Sequence, residues 1–96
     1  MKERIEKLKA AQAIYAEKNE FSPGQIVTWK DGMKNKKSDG PFVVIKTLDR
    51  PEIDQEERSG SPYYRENLDI LLGTFDRDGD FVFYHFDSAR MRPLSI

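Results

Sequence analysis

The apolar positions of this chain change period once, near residue 20. Before it, Ile5, Leu8 and Tyr15 recur at helical spacing, with Gln12 in the same row and Ala11 and Ala16 beside it, which predicts a helix over 2–18. Glu3 precedes Lys7 by one turn, the favourable order for an ion pair along a helix. The stripe is narrow and Ile14 lies off it. A helix of this length is marginal alone, so it is expected to dock, either across the rest of the domain or on a partner chain or a second copy. Asn19 is placed to close it in the left-handed conformation.

After residue 20 the period becomes two. Ser22-Pro23-Gly24 signals a turn, and QIVTWK (25–30) reads as a strand with Val27 and Trp29 on one face and Ile26 and Thr28 on the other. A polar loop, DGMKNKKSDG (31–40), leads to PFVVIKTL (41–48), a strand apolar on both faces and expected to be covered on both. Residues 49–67 (DRPEIDQEERSGSPYYREN) lack a period, and a connection of that length in a small domain is usually functional or mobile. LDILLGTFD (68–76) is the third strand, with Gly73 marking an expected bulge. Arg77-Asp78-Gly79 makes a tight hairpin into DFVFYHFD (80–87). DSAR (87–90) is a single helical turn, and MRPLS (91–95) a last strand that Pro93 assigns to an edge.

The fourth strand is apolar on both sides. Phe81, Phe83 and His85 face one way; Val82, Tyr84 and Phe86 face the other. One face lines the interior and the other needs a cover, for which Leu8 and Tyr15 of the helix are the economical choice. Without that cover the strand becomes an interface.

This order of strands, loops, hairpin and helical turn resembles the small SH3-like β-barrel proteins of bacterial and phage type. FSPGQIVTWK is similar to their opening strand, and Gly40-Pro41-Phe42-Val43-Val44 to the Gly-Pro-x-x-Val start of their second. The resemblance covers residues 21–96 and brings no catalytic residue with it. The expected architecture is mainly β: an N-terminal amphipathic α-helix (1–20), packed on or projecting from a five-strand SH3-like barrel (21–96) with a long acidic loop at 49–67.

Composition narrows the function. Ninety-six residues make one domain with a modest core. An apolar content of 38% against 34% charged would permit disorder, but the aromatic residues sit in period-two clusters, which argues for a fold. Cysteine is absent, the first twenty residues are charged throughout, and no apolar run reaches membrane-spanning length. A cytoplasmic protein with no membrane association is expected. Residues 1–48 carry ten Lys/Arg against six Asp/Glu, and residues 49–96 carry six against eleven. That dipolar balance weighs against a generic nucleic-acid binder, which shows a clear basic excess.

Catalytic chemistry finds little support. Asp76, Asp78, Asp80 and Asp87 mimic the acidic spacing of a calcium loop, but Gly79 falls at the fourth position instead of the sixth and the following residues alternate as a strand. His85 is the only histidine; with Asp87 it could begin a site, yet further metal ligands are missing. No nucleophile motif or phosphate loop is present. The expectation is a non-enzyme with no cofactor and no metal.

Two binding surfaces remain. Tyr63, Tyr64 and Arg65, set among carboxylates that include Glu56 and Glu57, suit a protein partner, since Tyr and Arg are enriched at interface hot spots. This favours a protein-binding adaptor or an inhibitor of a host protein. The alternative is nucleic-acid binding, with Trp29 as a stacking platform and Lys30, Lys34, Lys36 and Lys37 on phosphates. A homodimer through the N-terminal helix or strand 80–87 is a further expectation.

Overall fold

Residues 1–53 and 67–95 are described in the computed structural model of the chain. They form helix α1 (Lys2–Ala16), strands β1 (Ile26–Trp29), β2 (Phe42–Ile53), β3 (Asn67–Phe75) and β4 (Phe81–Phe86), a single 3-10 turn (Ser88–Arg90) and strand β5 (Met91–Pro93). The strands pair antiparallel in one sheet of order β4-β3-β2-β1-β5. The protein is mainly β with one N-terminal helix. Among the described residues no pairing joins β4 to β5, so the sheet stays open where closure into a barrel was expected. Pro93 lies on the β5 edge, where its missing N–H removes no ladder bond.

Period two sorts the side chains. Paired residues Ile70 and Phe86, and Leu72 and Tyr84, share the inner face; Gly73 and Phe83, and Phe75 and Phe81, share the outer. The core gathers on the inner face from every strand: Val27, Trp29, Phe42, Val44, Ile70, Leu72, Phe86 and Met91. At its centre Trp29 stands edge-on to Phe42 and Phe86, with ring centroids 5.9 and 5.7 Å away. Such pairs add roughly 0.5–1.5 kcal/mol beyond their buried area.

Register departs from the sequence expectation in two places. β2 continues past residue 48 to Ile53, carried by the pairs Glu52–Leu68 and Ile53–Asn67 where its own periodicity fails. One bulge falls in β2, where Val44 pairs with Leu72 and Lys46 with Leu71, so that Ile45 is the extra residue, and a second register shift lies between Thr47 and Glu52. Gly73 itself pairs in regular register with Val43 and Phe83. It is glycine for another reason: a Cβ there would stand 2.3 Å from Cζ of Phe81, whose ring lies over it.

The helix does not cover the sheet. None of its residues is buried, and Leu8 is 65% exposed. Its apolar stripe is too thin to anchor it, and it attaches by its C-terminal end instead. The Tyr15 hydroxyl donates to Oδ2 of Asp87, and the Arg90 guanidinium lies 5.6 Å from the Tyr15 ring centre. Nor does Asn19 close it; the capping residue is Glu17, with extended backbone. The terminal carbonyls turn to Lys30, whose Nζ donates to the Ile14 carbonyl at 2.7 Å and to that of Glu17. Among the described residues no helix is long and apolar enough to cross a membrane.

A carboxylate ties the hairpin to the last turn. Asp69 of β3 accepts from the Ser88 amide at 2.7 Å and from the Ser88 hydroxyl at 2.6 Å. Asp69→Ala should lower stability by about 1.5 kcal/mol, seen as a reduced urea midpoint at unchanged slope.

Candidate functional site

The structure separates the residues that the sequence grouped as a nucleic-acid surface. Trp29 is 8% exposed and belongs to the core, so it offers no stacking face. Lys30 is 4% exposed and its ammonium is committed to the helix end. Both leave that surface: Trp29 because its period-two position faces inward, Lys30 because a helix terminus needs donors. Lys34 pairs with the Asp39 carboxylate across the loop. Tyr63, Tyr64, Arg65, Glu56 and Glu57 lie outside the described residues.

Lys36 and Lys37 are placed differently. The loop 31–40 is held against the sheet by several specific contacts. Trp29 Nε1 donates to the Ser38 carbonyl at 2.8 Å, Arg90 Nη1 donates to the Met33 carbonyl at 2.9 Å, and the Met33 side chain is buried. Gly40 ends the loop at φ 79°, and a Cβ there would meet the Phe42 ring at 2.7 Å, so both backbone and space require glycine. Held this way, the loop brings Lys36, Lys37 and Ser38 to one wall of a cleft of about 520 Å³. The opposite wall is the β3–β4 hairpin, through Thr74, Phe75, Val82 and Tyr84. Tyr84 faces inward by register yet is 57% exposed, because the open sheet leaves this end of its inner face uncovered. The alternation in residues 82–86, set against the lysine loop, was the available signal for Tyr84.

The outer face of the same hairpin carries a second feature. Phe75, Phe81 and Phe83 are 70%, 50% and 56% exposed and form a contiguous row, with successive centroids 5.9 and 6.4 Å apart. A hollow of about 310 Å³ beside them is lined by Ile26, Pro41, Val43 and Gly73. Among the described residues β4 forms one edge of the sheet, and FVFYHF contains neither Lys nor Pro, the residues that commonly block strand addition. The sequence showed that one side of this strand needed a cover; the expected cover by Leu8 and Tyr15 is not made.

Asp76 and Asp87 are occupied in building the fold. Asp76 Oδ1 accepts from the amides of Asp78 and Asp80, each at 2.9 Å, which shapes the hairpin tip. Asp87 accepts from the Ala89 amide at 3.0 Å and from Tyr15, so it is not poised to orient His85. Among the described residues no group of three or more His, Asp or Glu side chains is arranged to hold a metal ion. No family model matches the chain, and no curated protein and no solved structure matches it at a significant level.

Proposed function

We propose that this chain is a non-catalytic protein-binding module of SH3-like strand arrangement, an adaptor or inhibitor that engages its partner through the outer face of the β3–β4 hairpin. The antiparallel order β4-β3-β2-β1-β5, with a 3-10 turn between β4 and β5, supports the SH3-like part. The binding part is carried by one observation: three phenylalanines, each half or more exposed, adjoin one another on an edge hairpin. Burying a phenylalanine side chain is worth roughly 1.5–3 kcal/mol, so a row of three holds enough apolar area to drive association. Aromatic residues concentrated at one place are also the usual composition of an interface centre.

The test is a crosslinked, nuclease-treated capture with the wild-type chain and with Phe83→Ser. Phe83 is half exposed, so the variant should melt within about 1 kcal/mol of wild type. It should nevertheless lose at least tenfold of the specifically captured partner. Tyr63→Ala and Tyr64→Ala form a separate arm for the acidic segment. Full capture by Phe83→Ser removes the outer face from the proposal; a partner that proves to be this chain itself makes the face a homodimer contact.

A further inference from the structure

The other side of the same hairpin leads to a different ligand. We infer that the cleft between loop 31–40 and the inner face of β3–β4 binds single-stranded nucleic acid, with a base stacked on Tyr84 and adjacent phosphates on Lys36 and Lys37. The site is distinct from a Trp29 platform, and of the outer phenylalanine row it shares only Phe75, which borders both.

Shape supports this first. The cleft holds about 520 Å³, within the range of ligand sites, and has an aromatic wall opposite a basic one. Tyr84 belongs to the inner face by register but is more than half exposed, so one side of its ring is available to a planar partner. Phe75, at the end of the adjacent strand, extends the aromatic wall. Sequence-tolerant binding of single strands uses this combination, rings for bases beside cations for phosphates.

Charge supports it next. Among the described residues, the charged side chains lining the cleft are Lys36, Lys37 and Asp76, with the imidazole of His85 beside them. The Asp76 carboxylate is turned to its own hairpin, accepting from the Asp78 and Asp80 amides. Lysine thus outnumbers carboxylate two to one among the described residues of the lining. An acyl chain would satisfy neither lysine along its length, and it gains most from an enclosed pocket, whereas this cleft is open along one side. The loop that carries the lysines is fixed by Trp29, Met33, Arg90 and Gly40, so the basic wall is pre-organised before a ligand arrives.

The net charge of −1 fits a small footprint. With two phosphates neutralised, the logarithm of affinity should fall with the logarithm of salt at a slope of about −1.4, a loss of about sevenfold between about 50 and about 200 mM. The experiment is fluorescence anisotropy with a labelled oligothymidylate of about twelve nucleotides, and an acidic peptide of matched charge as the competing arm. Wild-type chain should bind the oligonucleotide with that slope. Tyr84→Ala should weaken binding roughly five- to a hundredfold, and Tyr84→Phe, which keeps the ring, should restore it. The double change Lys36→Ala, Lys37→Ala should weaken binding and flatten the salt dependence. Leu8→Ala, on the exposed helix, should bind within twofold of wild type and serves as the folded control. The inference is overturned by no wild-type binding at about 50 mM salt, by Tyr84→Ala binding like wild type while its melting curve shows it folded, or by the acidic peptide outcompeting the oligonucleotide at equal concentration.

Discussion

Trp29→Ala is expected to destabilise the domain by roughly 3–5 kcal/mol, the largest effect of any single substitution considered for this chain. A small domain has a total stability of about 5–15 kcal/mol, so the variant should be partly unfolded at ambient temperature, with a urea midpoint far below wild type. The reason is where the indole sits. Trp29 ends β1, yet its ring meets Phe42 of β2 and Phe86 of β4 edge-on, at 5.9 and 5.7 Å. Its removal opens a cavity between the neighbouring strands β1 and β2 and the more distant β4. The indole also fixes the lysine loop through the bond to the Ser38 carbonyl. Trp29→Phe separates these roles. It keeps a ring in the core and removes the donor, so it should cost less than the alanine variant while loosening the loop. Amide exchange at residues 38–40 should then rise without a matching rise in the β3 core. A Trp29→Ala midpoint equal to wild type would contradict the assignment of the core itself.

The strands were legible in the sequence because period two is a local property. Val27 and Trp29, or Val82, Tyr84 and Phe86, need no knowledge of their partners to be placed on one face. What depends on partners was not legible. The β2 extension to Ile53 is held by cross-strand pairs with β3, and the bulge at Ile45 is a mismatch between two strands. Gly73 looked like a bulge residue because glycine interrupts an apolar run; its role is to seat the Phe81 ring, which lies eight positions away. Lys30 shows the same limit at the candidate site. Following Trp29 and preceding Lys34, it resembled a phosphate contact, but its partners are carbonyls near residue 14. The two-sided fourth strand did announce an uncovered face. It could not say that α1, with its thin stripe, would leave Phe81 and Phe83 exposed. Closure of a barrel is likewise a property of strands meeting at a distance, and the edges here are β4 and β5.

Lys30→Met is expected to release the helix while leaving the sheet folded. Methionine keeps an aliphatic stem of similar length in a site where Lys30 is 4% exposed, so packing is largely preserved and the change reports on the ammonium. That group donates to the Ile14 carbonyl at 2.7 Å and to the Glu17 carbonyl, with the Tyr15 carbonyl at 3.5 Å. A cation at this end also interacts favourably with the helix dipole. Charge-assisted bonds of this kind contribute about 1.5–3 kcal/mol each. No residue of α1 is buried, and its other ties include the Tyr15 bond to Asp87 and the Arg90 guanidinium near the Tyr15 ring. An isolated helix of this length is marginal in water, so a released α1 should unfold locally. The far-UV helical band should therefore melt below the near-UV signal of Trp29, whereas wild type should show the two together. Coincident transitions in the variant would mean that α1 is held by more than its C-terminal carbonyls. Separate transitions would make Lys30 the hinge between a sheet that folds by its own aromatic core and a helix attached by one end.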